Sequence, residues 1–585
     1  MSGAQIQMPL DASQLEQNSQ NKPRSGQPRL DNRYLDTRGH SSEQLRFSEA
    51  ILQGLAEGGG LFVPQTIPHL SLAEVLSLAT LPYAQQAASL YRHFGVDFPD
   101  AQISALMQAA YGSNFDSADI APLVKVAPQS YVLELWHGPT SAFKDMALQC
   151  LPRFFSAAME KHAAAHPDGG QPTTVASRPQ VGHPQVGQPA TAAEPTAAGT
   201  AAAATSQPLS LILVATSGDT GSAALEGFSN VPGTGIIVFY PHGGVSDIQH
   251  RQMATAAGKN VGVVGVEGNF DDCQTAVKAA FGDHDFAQRL AGRNVCLSSA
   301  NSINWGRLLP QVVYYASAYS RLVAQGALKP GELLEVCVPT GNFGNILAAW
   351  YAREAGVPIG RLYCASNENR VLADFINTGI YDISERPFHL TPSPSMDILV
   401  SSNLERQLFE LNGRNPHTVR TWMESLRDKR RFQVDQATLN SLHATFSADW
   451  ASSSEAFQAI REVYQQHDYL LDPHTAVAWR VAEKLRPSSS APMLIVSTAH
   501  WAKFGTDVWR ALNGQTPGST LPDEICRLSG AQLNSKIAEK FAAAGGIPPR
   551  LANLENLPIR FSSITAGTQE GIEAAVNAWL DSSAG

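Results

Sequence analysis

Five turns in this chain hold residues able to do chemistry, and each follows or adjoins a short apolar run. The first is His137-Gly-Pro-Thr-Ser-Ala-Phe-Lys-Asp145, after Tyr131–Trp136. Its Pro-containing turn predicts a helix beginning near Ser141, with Lys144 in the first helical turn. Phe143 on one side and Met146-Ala-Leu148 on the other predict partial burial. A buried amine at a helix N-terminus has a lowered pKa and attacks aldehydes. Lys144 is therefore a candidate Schiff-base lysine, against the ordinary reading of a lone surface lysine. The second turn is Ala215-Thr-Ser-Gly-Asp-Thr-Gly221. Ser217, Gly218, Asp219, Thr220 and Gly221 offer hydroxyls and converging backbone N–H groups to a carboxylate or phosphate. The third is Pro339-Thr-Gly-Asn-Phe-Gly-Asn345, where Gly341, Asn342, Phe343, Gly344 and Asn345 would cradle a phosphate at a helix N-terminus. It is neither a Walker loop nor a dinucleotide fingerprint. In the fourth, Ser497-Thr-Ala-His-Trp-Ala-Lys-Phe504, Thr498 can hydrogen-bond a heterocyclic nitrogen, while His500 and Lys503 read as structural or surface residues. The fifth, Ser299-Ala-Asn-Ser-Ile-Asn-Trp-Gly-Arg307, sets one Arg amid hydroxyl and amide donors, and its planar fork suits a second anion such as phosphate or, equally, a structural or solvent-exposed role.

These turns need strands and helices to hold them. From 209 onward, apolar runs alternate with amphipathic stretches. Leu209–Ala215, Gly235–Tyr240, Val261–Val266, Leu334–Val338, Leu362–Ala365 and Met493–Ser497 read as buried strands. Helices are expected up to Phe228, over Asp247–Ala257 and Asp271–Phe281, and over Ile346–Ala355. That alternation predicts α/β architecture with a mostly parallel sheet covered on both faces, and ligands beyond the carboxyl ends of the strands. The strand-to-helix turns named above are those ends. Residues 380–470 are more polar, with an amphipathic helix at Leu404–Leu411 and a charged stretch at Arg427–Arg431, and read as a subdomain.

The chain has 585 residues, a net charge of -10 and only 16% charged residues. The acidic balance argues against nucleic acid and membrane surfaces as partners. No run of about 18 apolar residues occurs, so no transmembrane helix is expected. The polar N-terminal stretch 1–30 reads as a disordered tail without a secretory or transit pattern, which points to the cytoplasm. Residues 166–208 are Pro-, Gly-, Ala- and Thr-rich and read as a surface insertion, or else as a linker between domains. Neither segment explains the low charge, because they hold only five and three charged residues. Six cysteines without C-x-x-C or metal spacing predict reduced thiols and no metal site.

Taken together, the motifs resemble a known family. Arg33-Tyr-Leu-Asp-Thr-Arg-Gly39, Phe47-Ser-Glu-Ala50, Gly54–Pro64, the five turns, Ser393-Pro-Ser-Met-Asp397, Ser402-Asn-Leu-Glu-Arg406 and Pro473-His-Thr-Ala-Val477 occur in order. The chain resembles threonine synthases, which are fold-type-II pyridoxal-phosphate enzymes, over roughly residues 31–515. The resemblance implies two open, mostly parallel sheets flanked by helices, similar to tryptophan synthase β, with an N-terminal domain particular to the family. It divides the chain at about 31–130, 131–300 and 301–585. It implies pyridoxal 5'-phosphate bound to Lys144, with its phosphate on Gly341–Asn345 and its ring nitrogen against Thr498. It places substrate O-phospho-L-homoserine on Ser217–Gly221 and on Asn304 with Arg307, and threonine and phosphate as products. Asp36, where the family usually has Ser, and Trp501, in place of a common Pro, depart from the pattern. A related lyase or deaminase acting on serine, threonine or a phosphorylated amino acid, and a cofactor-binding regulator without turnover, are the competing readings.

Overall fold

The apolar run Leu209–Ala215 is buried along most of its length and lies inside a five-stranded sheet. The structure is a computed structural model and describes residues 30–41, 43–166, 208–486, 491–541 and 546–583. The expected tail and insertion fall almost entirely outside these residues.

The smaller sheet has the order Ile564–Thr565, Val261–Val266, Thr234–Pro241, Leu209–Ala215, Val295–Ser298, with every pair parallel. The larger sheet runs Phe446–Trp450, Ile359–Ser366, Leu334–Pro339, Met493–Ser497, Ser130–Glu134, Leu123–Ala127. It is parallel except for the hairpin between its last two strands. Both sheets are flanked by helices, as the continuous apolar strands require.

The central helix, Trp305–Ala324, is the longest among those described and packs against the helices Gly344–Glu354 and Lys144–Leu148, with nearly every side chain buried. Arg307 and Arg321 are its only charged residues, which is the composition of a helix packed all round. The N-terminal helices Phe47–Gln53 and Tyr83–His93 pack against it, and Tyr34, in the antiparallel pair Tyr34–Asp36 with Phe62–Pro64, sets its ring against Phe47 and Trp305.

The sheets draw on the chain less contiguously than its order suggested. Ile564–Thr565 and the helix Gln569–Ser583 return to the smaller sheet, away from the 301–585 segment to which sequence order assigns them. Ser130–Glu134 belongs to the larger sheet. Phe446–Trp450, inside the polar 380–470 region, is that sheet's edge strand. Neither edge element announces itself, since one is two residues long and the other is only half-buried and carries an Asp. Among the described residues no helix is long and apolar enough to cross a membrane.

Candidate active site

The carboxyl ends of both sheets face one cavity of about 280 Å³. Its walls include Lys144, Ser217, Thr220, Arg307, the segment Gly341–Asn345 and Thr498. Phe270, Gln274 and Lys278, on the helix Phe270–Gly282 over the smaller sheet, close one side.

Lys144 lies in the first turn of a short helix, Lys144–Leu148, which starts three residues after the expected Ser141. Its loop is stitched to the end of the central strand. Ala142 and Ala499 form an antiparallel bridge, and the Phe143 N–H donates to Thr498 O at 2.8 Å. Thr498 therefore reaches the cavity beside the lysine. Lys144 is buried, with Nζ 3.2 Å from Ser395 Oγ, 3.8 Å from Asp219 Oδ2 and 4.6 Å from the Phe143 ring centre. Burial lowers its pKa to about 8, Arg307 and Lys503 push the same way, and Asp219 opposes them.

The cradle is built on the helix Gly344–Glu354. Phe343 precedes it in the left-handed region at φ 60°, which turns the chain sharply into the helix. Gly341 is required by close approach, because a Cβ there would sit 2.7 Å from Ser395 O. Tyr314 and Tyr315 both donate to Asn345 Oδ1 at 2.6 Å. That fixes the amide and leaves Asn345 Nδ2 buried with no hydrogen-bond partner among the described residues. An orphaned donor beside the free N–H groups of a helix start is suited to an anion.

Arg307 is 4% exposed, and its Nη1 donates to Ala300 O at 3.0 Å. Its Nε has no partner, and among the described residues no carboxylate pairs with it. Burial without a counter-charge lowers its pKa to about 10. Such a guanidinium has an unmet requirement for an anion.

Two expectations change. Asn304 is fully buried and does not line the cavity. Its Oδ1 caps the central helix by accepting from Gly306 N at 2.9 Å, and its Nδ2 donates to Ile51 O at 2.8 Å. Both groups are committed to the fold, so Arg307 lacks the expected amide partner. In the second turn, the Gly218 and Gly221 N–H groups donate to Thr216 Oγ1 at 3.0 and 2.9 Å instead of converging on an open site. Ser217 and Thr220 remain on the cavity wall, but the Asp219 carboxylate is taken by cations and amides.

Sequence reasoning gave no site role to Ser395 or His474 and read Lys503 as structural or surface. Ser395 Oγ lies between Lys144 and Asp219, and its N–H donates to His474 Nε2 at 3.2 Å. Asp472 Oδ1 lies 2.9 Å from His474 Nδ1, which fixes the tautomer with the proton there. Lys144 and Ser395 are 251 residues apart, and nothing local to a serine between two turns signals that contact.

Residues 33–111 match the model of the threonine synthase N terminus, and residues 475–576 that of the C-terminal threonine synthase domain. The threonine synthase of Pseudomonas aeruginosa is 37% identical over 497 residues, 85% of this chain and 93% of that protein. The chain belongs to the threonine synthase family. A human protein called threonine synthase-like 1 is 42% identical over 475 residues, 80% of this chain, and the chain spans only 58% of that relative. The crystal structure of PLP-bound threonine synthase from Brucella melitensis superposes with a TM-score of 0.74 at 33% identity, covering 94% of this chain and 99% of the other.

The family's N-terminal segment does not touch the cavity, yet it braces it. Thr37 Oγ1 and the Arg38 guanidinium grip Glu405 at 2.6, 2.9 and 2.8 Å. Two residues earlier, Asn403 donates through its backbone N and its Nδ2 to Asn342 O in the cradle, at 3.2 and 3.0 Å. The family departure at Asp36 has a local use, since its carboxylate accepts from the N–H groups of Arg38, His40 and Ser41 and ties the turn. Trp501 is buried, and its ring lies against His500.

Proposed function

We propose that this chain converts O-phospho-L-homoserine and water to L-threonine and phosphate, using pyridoxal 5'-phosphate. One observation carries the reading: a single cavity joins a buried amine, a helix-start cradle with an orphaned donor, and a buried guanidinium lacking an acid. A phosphorylated cofactor and a phosphorylated substrate need two such separate anion sites.

The residues fit the cofactor. Lys144 would offer the amine for its aldehyde, Gly341–Asn345 would hold its phosphate on backbone N–H groups and Asn345 Nδ2, and Thr498 would present a hydroxyl to the ring nitrogen. When bound, the cofactor supplies the electron sink that makes the substrate's α-carbon acidic. The chain supplies the rest. Arg307 takes the substrate phosphate, and Ser217 with Thr220 takes its carboxylate. The free amine of Lys144, with its pKa about 8, takes protons from the substrate's α- and β-carbons and returns protons to the γ-carbon, which becomes the methyl, and to the α-carbon. Arg307 stabilises the departing phosphate, and water adds at the β-carbon to give threonine.

The test is to incubate the holoenzyme with O-phospho-L-homoserine and measure threonine and phosphate together. Equal release of both is expected. Release of 2-oxobutyrate in place of threonine would replace the reading with the lyase. Lys144→Ala is expected to remove both products and the visible absorbance of bound cofactor. Threonine formation by that variant would overturn the assignment.

A further inference from the structure

The function read above leaves one buried charge unused. Lys503 is 0% exposed, and a lysine so enclosed needs a specific partner. Its Nζ lies 2.8 Å from Asp219 Oδ1 and 2.8 Å from Thr140 O. Asp219, itself 2% exposed, also accepts from Gln249 Nε2 at 3.0 Å and from Ser395 Oγ at 3.2 Å, and its Oδ2 lies 3.8 Å from Lys144 Nζ. Two lysines thus share one carboxylate, and the nearer one is not the proposed cofactor lysine. Lys503, in the fourth turn, thus joins the second through Asp219 and the first through Thr140, which also fixes the Asp145 carboxylate through its N–H and hydroxyl at 2.8 Å each.

We propose that Lys503 and Asp219 are positioning residues for Lys144: Lys503 fixes and balances the carboxylate, so that its far oxygen, with Ser395, holds the Lys144 amine at the cavity without locking it as an ammonium. The proposal rests on the reading of Lys144 as the working amine. With Asp219 alone beside it, Lys144 would form an ordinary buried ion pair and keep its proton. Lys503 takes the closer share of the carboxylate's charge and repels a second ammonium. The other charged or titratable groups facing Lys144 are Asp145 on its own helix, Arg307 on the central helix, and His474 and Lys278 on the cavity wall. Asp145, whose pKa burial raises to about 6, is ionised where Lys144 titrates and, like Asp219, favours the ammonium.

The test follows the pH dependence of acetylation of Lys144 in the full chain freed of cofactor, read by mass spectrometry of the peptide that carries it. Lys503→Met is expected to move the midpoint up by about one pH unit or more, and Asp219→Asn to move it down. Lys503→Arg, which keeps the charge, is expected to restore the original midpoint. A merely structural role would alter melting without driving the two midpoints in opposite directions. An unmoved midpoint in Asp219→Asn, or a falling one in Lys503→Met, overturns the proposal. If Lys503→Met fails to fold, Asp219→Asn and Lys503→Arg decide the matter. A borohydride-trapped pyridoxyl group on another lysine, found by mass spectrometry in Lys144→Ala, would refute the cofactor-lysine reading by itself and leave the titration result standing.

Discussion

On the proposed function, the substrate phosphate rests on a single side chain, Arg307. It is buried, its Nε is unpartnered, and the amide expected beside it caps a helix instead. Arg307→Ala is expected to lower kcat/KM for O-phospho-L-homoserine on the order of 10- to 100-fold, mainly through KM, the worth of one charged hydrogen-bonding group. Cofactor affinity, followed by absorbance, should change little, and unchanged steady-state kinetics would remove Arg307 from the substrate site. The cysteines make a second prediction at this scale. Cys150, Cys273, Cys296, Cys337 and Cys364 are buried, and only Cys526 is exposed. Burial raises the Cys150 and Cys364 thiols to about 12, where little thiolate forms. A thiol reagent is expected to titrate about one group per native chain, and all six after denaturation. Rapid native labelling of more than one would contradict the burial.

The central helix Trp305–Ala324 sets the relation between Arg307, the N-terminal helices and the cradle, and Asn304 starts it. Asn304→Ala removes the cap on Gly306 and leaves the Ile51 carbonyl without its donor. A loss of about 2–4 kcal/mol in unfolding free energy is expected from a missing cap plus a buried unsatisfied group. Urea denaturation measures it, and a loss below about 0.5 kcal/mol would restore Asn304 to the list of ligand-binding candidates. The same logic explains why the N-terminal motif sits far from the cavity. Thr37 and Arg38 hold Glu405, whose helix carries Asn403 to the cradle.

Across the whole molecule, His137 ties the carboxyl end of the larger sheet to the 112–122 loop. Its ring nitrogens lie 2.6 Å from Asp116 Oδ1 and 2.9 Å from Glu134 Oε2. These carboxylates raise its pKa from 6.5 to about 9 despite the opposing effect of burial. A raised folded-state pKa stabilises fully below about pH 6.5, and that contribution fades as pH rises through about 9. Lys144 has the opposite sign, because its folded-state pKa is lowered to about 8, so its cost to stability is relieved above that pH. The Tm difference between the unaltered chain and His137→Asn is therefore expected to be large near pH 6.5 and to shrink by pH 9.5. A difference independent of pH would exclude the charged pairing.

The sequence by itself determined the elements whose signal is local. The runs Leu209–Ala215, Val261–Val266 and Met493–Ser497 are strands with the expected bounds, and Leu404–Leu411 is the expected helix. Buried parallel strands must be continuously apolar, and an amphipathic helix carries its period in its own residues. The placing of Lys144 and of Gly341–Asn345 at strand-to-helix turns was legible for the same reason, since an apolar strand followed by a helix start is a local pattern. Only the tertiary structure decided which polar groups were still free. Asn304 and Arg307 are three residues apart and equally polar in sequence, yet one is spent on Ile51 and Gly306 while the other keeps a bare Nε. The tertiary structure also decided that Ser395 and Lys503 meet Asp219 beside Lys144. A hydrogen bond's worth depends on the partners already satisfied, and those partners arrive from hundreds of residues away.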